Sequence, residues 1–72
     1  MFIVIELQKI VDNEISNIVT THENRREAES HYHSILAAAA ISTIPVHTAI
    51  ILSEKGLPVM FQCYEHETDE TD

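Results

Sequence analysis

Residues 24–42, NRREAESHYHSILAAAAIS, form the only long stretch of the chain with a helical pattern, and short apolar runs flank it on both sides. Asn24 suits the N-cap, where its side-chain oxygen can accept from a free amide of the first turn. Glu27 stands where a capping box places its acid, and Glu27 and Glu29 put negative charge at the positive end of the helix dipole. Ala37, Ala38, Ala39 and Ala40 have the highest intrinsic helix propensity. Pro45 biases Ile44 away from helical geometry and ends the element nearby. At about 100° per residue, Ala28, Tyr32, Ile35, Leu36 and Ala39 share one face, which is expected to lie against a sheet. His33, Ala37, Ala40 and Ile41 form a second, weaker apolar group on the far side. Either that group is an exposed Ala-rich turn, or it is a helix-to-helix contact between subunits.

The flanking runs read as strands. Ile3, Ile5 and Leu7 alternate with Phe2, Val4 and Glu6, and both sets begin apolar. Asp12-Asn13 supplies a hairpin turn, and Ile15 to Thr21 thins into polar residues as an outer strand does. Past Pro45, residues 46–53 (VHTAIILS) alternate Val46, Thr48, Ile50 and Leu52 against His47, Ala49, Ile51 and Ser53. Consecutive Ile50, Ile51 and Leu52 imply that both sheet faces are at least partly covered. Glu54-Lys55-Gly56 is a turn with the chain's only glycine where positive φ is needed. Val59 to Glu65 is the last strand, with Val59, Phe61 and Cys63 on one side and Met60, Gln62 and Tyr64 on the other. The expectation is a single α+β domain over residues 1–64, β-β-α-β-β, its mainly antiparallel four-stranded sheet packed on one helix. Residues 65–72 are expected to be an acidic, disordered tail.

A chain of 72 residues has little core to spare. One cysteine, Cys63, allows neither an internal disulfide nor a paired-cysteine zinc site, and fits a reducing cytoplasm. Self-association is the remaining staple. One helix cannot cover both faces of a four-stranded sheet, so a dimer or higher oligomer is expected. The uncovered sheet face or the outer helix face would make the contact, with His33, Ala37, Ala40, Ile41 and Ile51 as its residues. The opening MFIVIEL is too short to span a membrane, and no membrane partner is expected.

Charge narrows the function classes. The chain carries −8 from 12 acids and 4 bases. Residues 65–72 hold five of those acids, and residues 1–64 set seven acids against four bases. Direct binding to nucleic acid is disfavoured, since only Lys9, Arg25, Arg26 and Lys55 could meet phosphates. Five histidines raise the question of metal. His31 and His33 point about 200° apart on a helix and cannot share an ion. A site from His33, His47 and Cys63 is geometrically conceivable, but the spacing carries no metal motif, so no metal and no cofactor are expected; His47 is instead expected to be partly buried and hydrogen-bonded, and the other histidines exposed. Cys63 falls beside Val59 and Phe61 on an apolar face, where a thiol is filling more often than nucleophile. No serine sits in a strand-to-helix elbow, so no catalytic residue is assigned and an enzyme is not expected. Arg25 and Arg26 at the helix start, with His31 or Tyr32 to stack on a base, are the candidate ligand-binding set for a small nucleotide. The alternative is that both arginines pair with nearby acids such as Glu29.

At EAESHYHSILAAAAIS, PVHTAIILSEKG and CYEH the chain resembles a group of short uncharacterised proteins encoded by phages, prophages and related mobile elements of Gram-positive bacteria. The resemblance runs from FIVIELQ through Tyr64, with the tail free to vary. It implies a habitat, the host bacterial cytoplasm, and no mechanism. The expected function is therefore that of a non-enzymatic, homo-oligomeric phage accessory protein acting by binding. Counter-defence leads, by inhibiting a host immune protein or sequestering a nucleotide immune signal. A structural or assembly accessory is one alternative, and an acidic nucleic-acid mimic that inhibits a DNA-binding effector is another.

Overall fold

The computed structural model describes residues 1–10 and 14–66. Five elements follow in order: β1 (Phe2–Lys9), β2 (Ile15–His22), α1 (Arg25–Ile41), β3 (Val46–Ser53) and β4 (Pro58–Glu65). All four strands join one antiparallel sheet in the order β2-β1-β3-β4. The fold is the expected α+β arrangement of two strand pairs joined through a helix. β2 and β3 both run antiparallel to β1 and hence parallel to each other, so β2-α1-β3 is a crossover with β1 lying between its strands.

The helix begins as its capping chemistry dictates. The Asn24 side chain accepts from the Glu27 amide at 2.9 Å. At the other end, Ser42 is extended and its amide donates to the Ala39 carbonyl at 3.3 Å. That carbonyl also takes a bond from His66 Nε2 at 2.7 Å, so a residue just past β4 satisfies the helix C-terminus. Ala28, Tyr32, Ile35 and Ala39 are buried and Leu36 is half-buried against the core, the face that the spacing assigned. Ala28, Ala39 and Ala49 have no exposed surface, and such small side chains let α1 approach the two central strands closely.

The core lies between α1 and one face of the sheet, where Val4, Ala49 and Ile51 meet the helix. Period-two alternation then fixes which residues face away. Ile51 was expected at a subunit contact, but it is fully buried beneath α1, so it cannot serve there. Ile50 and Leu52 face away in its place. Both alternating sets of β3 are apolar, so periodicity could not say which one the helix covers. Val59 also departs from expectation. The register shifts between Ile51, paired with Met60, and Leu52, paired with Pro58, leaving Val59 as the extra residue of a bulge. Val59 therefore packs against the core together with Met60, instead of pointing away with Phe61 and Cys63.

Gly56 takes φ of +83° in the β3–β4 turn, the left-handed geometry expected of it. Ser53 organises this turn: its carbonyl accepts from the Gly56 amide and its hydroxyl from the Lys55 and Leu57 amides. The Ile10 amide donates to the Glu14 carbonyl across the base of the first hairpin. The Asp12-Asn13 turn itself lies outside the described residues. Of residues 65–72, expected as an acidic tail, Glu65 closes β4 and His66 bonds the Ala39 and Pro45 carbonyls, while residues 67–72 lie outside the described residues.

Candidate functional site

The helix-facing side of the sheet carries one buried polar constellation. Alternation that buries Val4 also turns Glu6 and Gln8 toward this side, and Gln8 pairs with His47 across β1 and β3. His47 is 2% exposed and is the one polar or charged residue buried to that degree among the described residues. Its Nε2 lies 2.6 Å from Glu6 Oε2, and Gln8 Nε2 donates to the same carboxylate oxygen at 2.9 Å. On the other side of the ring, Nδ1 is 3.5 Å from the Ser42 hydroxyl, which itself accepts from the Ile44 amide. The network is coherent with a proton on Nε2 donated to Glu6. No buried side-chain nitrogen or oxygen among the described residues is left without a partner.

Opposing effects act on the Glu6 carboxyl. Burial raises its pKa, while the hydrogen bonds from His47 and Gln8, with the nearby positive potential of His47 and His31, lower it. The net result holds Glu6 below its ordinary value of 4.5. Tyr32, in the core above, is pushed above its ordinary 10.0 by burial and then by Tyr64.

Ser42, His47 and Glu6 have the residue types of a nucleophile, base and acid, but the arrangement works as a structural clamp. His47 has almost no surface on which to meet a substrate proton, and the Ser42 contact stands at the outer limit of a hydrogen bond. What the trio does is tie the start of β3 to β1 and to the turn that ends α1.

The sequence-derived ligand set does not converge. Arg25 Nε pairs with Glu29 at 2.6 Å on the exposed side of the first turns. Arg26 is also exposed, pointing elsewhere on the helix. Tyr32 is 3% exposed, its ring set edge-on to His33 at 5.4 Å between centroids, so neither of its faces is open to a base. His31 is half-buried with its ring 5.4 Å from that of His22, which bonds Thr20 at 3.1 Å. The conceivable metal set fails to assemble as well. His33 is exposed on α1, His47 lies under the helix, and Cys63 is exposed on the opposite face of the sheet. Among the described residues no group of three or more potential ligands could hold a metal ion.

Of the histidines expected at the surface, only His33 is fully exposed; His22, His31 and His66 are half-buried. Sequence reasoning found His47 as a hydrogen-bonded histidine but missed Glu6, Gln8 and Ser42 as its surroundings. The available signal was an acid within an apolar strand, on the same alternating set as Val4.

The sheet's other face is different in kind. Residues paired across antiparallel strands share a face, so four rows can be read off: Thr21-Ile3-Leu52-Pro58, Val19-Ile5-Ile50-Phe61, Asn17-Leu7-Thr48-Cys63 and Ile15-Lys9-Val46-Glu65. Apolar side chains dominate them, and Ile15, Val19 and Phe61 are 66%, 55% and 71% exposed. No helix of the described residues is long and apolar enough to cross a membrane. No family model, no curated protein and no solved structure matches the chain.

Proposed function

We propose that this protein is a non-enzymatic accessory protein that works by binding as a homo-oligomer, in the service of phage counter-defence in the bacterial cytoplasm. The observation that carries the binding reading is the contrast between the two sheet faces. The one buried polar constellation is satisfied within the fold, while a broad apolar face stands open. Apolar surface of that extent is costly to leave in water and marks a contact surface. The phage setting rests on the resemblance of residues 2–64 to proteins of phages and mobile elements. Between the two modes of counter-defence, contact with a host immune protein has the better support. The dispersal of Arg25, Arg26, His31 and Tyr32 weakens the case for capturing a nucleotide.

Expression in bacteria that carry defined defence systems, followed by phage challenge, tests this reading. Restored plaque formation against at least one system is expected, and it should persist when residues 67–72 are removed. Protection that survives intact against every system would refute counter-defence. Restoration that vanishes with the acidic segment would favour nucleic-acid mimicry instead.

A further inference from the structure

We infer that the uncovered sheet face is the seat of a second copy of this chain, the two sheets packing face to face about a two-fold axis that runs along the strands. The inference deepens the oligomeric part of the proposed function and rests on it, but chooses the sheet over the outer face of α1.

Area is the first argument. Four strands of eight residues each, spaced about 4.8 Å and rising about 3.3 Å per residue, present roughly 500 Å² before side-chain relief is counted. Two such faces bury about 1,000 Å², the lower bound for a specific interface. Composition is the second. Lys9 and Glu65 are the only charged members of the four rows, both in the row at one end, so the centre can be dehydrated without stranding a charge. Homodimer interfaces are this apolar, whereas exposed faces of antiparallel sheets are ordinarily polar.

Charge complementarity selects the axis. A two-fold along the strands keeps each row at its own level and reverses its lateral order. Glu65 then lies one strand spacing to the side of Lys9 of the second copy, across the gap of about 10 Å between packed sheets, and the symmetric approach falls at the same end. The same operation sets Phe61 over Val19 and Ile50 over Ile5, large side chains meeting apolar ones in the second row. A two-fold across the strands would instead keep each strand over its own copy and lay Lys9 and Glu65 against Ile3 and Pro58, in a row that holds no charge.

Phe61→Lys is the decisive variant, because Phe61 is mostly exposed within one copy and the change should leave its fold intact. Sedimentation should give a dimer for the unmodified protein at micromolar concentration and a monomer with unchanged circular dichroism for Phe61→Lys. Val19→Lys, at a second exposed position, should do the same. Ala40→Glu on the outer helix face should remain dimeric. Cys63 provides a native reporter: covered in the dimer, it should react slowly with a thiol reagent, and at least about tenfold faster in Phe61→Lys. Lys9→Glu should weaken the dimer, and adding Glu65→Lys should restore it. A folded wild-type monomer, or a dimer that survives Phe61→Lys but dissociates on Ala40→Glu, would overturn the sheet interface. Failure of the charge exchange to restore association would overturn the axis. Neither result bears on plaque restoration, so the interface and the counter-defence reading fail separately.

Discussion

Replacing Glu6 by Gln removes the charge from the His47 clamp while keeping its shape, and the consequence can be worked out from the contacts. The carboxylate accepts from His47 Nε2 at 2.6 Å and from Gln8 at 2.9 Å, beside a ring that is 2% exposed. A hydrogen bond to a charged group contributes about 1.5–3 kcal/mol, and a neutral one about 0.5–1.5 kcal/mol. Glu6→Gln should therefore cost about 1–1.5 kcal/mol, a fall in Tm of roughly 5–10 °C for a domain of this size. Glu6→Ala strands the buried imidazole and should cost about 3 kcal/mol. Replacing both partners by Leu should recover much of that loss, since the penalty comes from an unpaired buried group. The pH dependence supplies a sign. Glu6 is held below 4.5 in the folded state, so its stabilisation is complete above the unfolded value and disappears as pH falls through the folded value. The Tm difference between wild type and Glu6→Gln should be level above about pH 5 and shrink below it. Thermal unfolding by circular dichroism across pH, at one fixed chain concentration and again in the Phe61→Lys background, removes the contribution of association. A Glu6→Gln protein as stable as wild type, or a difference that persists unchanged into acid, would refute the clamp.

Asn24→Ala should destabilise the fold by about 1 kcal/mol, seen as a Tm loss of several degrees, because the Glu27 amide loses its 2.9 Å partner. Gly56→Ala should cost about 1–2 kcal/mol through its backbone alone, since φ is +83° and a Cβ there would meet nothing within 4 Å; chemical denaturation should show a lower midpoint with the same slope. Arg25→Ala and Arg26→Ala should each change Tm by little, as both side chains are exposed and the Arg25–Glu29 pair is a surface i,i+4 bridge. Calorimetry with cyclic nucleotides and ADP-ribose derivatives should show no heat that depends on either arginine, whereas a tenfold loss of affinity in Arg26→Ala would reinstate nucleotide capture.

Local chemistry settled much of this protein in advance. Asn24, the acids after it, the alanine run and Pro45 bound the helix to within a residue, because capping and propensity act between near neighbours. Gly56 marked its turn for the same reason. The apolar alternation of residues 2–8, 15–21, 46–53 and 59–65 located four strands. Three matters were decided only by tertiary structure. Strand order is one: β1 sits between β2 and β3, a choice made by pairings between residues far apart in the chain. The choice of face is another. With Ile50 and Ile51 equally apolar, only the seating of α1 buries Ile51 and leaves Ile50 outside, and the bulge at Val59 resets β4 independently. The polar clamp is the third. Glu6 and His47 stand 41 residues apart and neither has a motif around it. Their pairing arises because antiparallel register brings β1 beside β3 under a helix that excludes water, and burial then makes each partner necessary to the other.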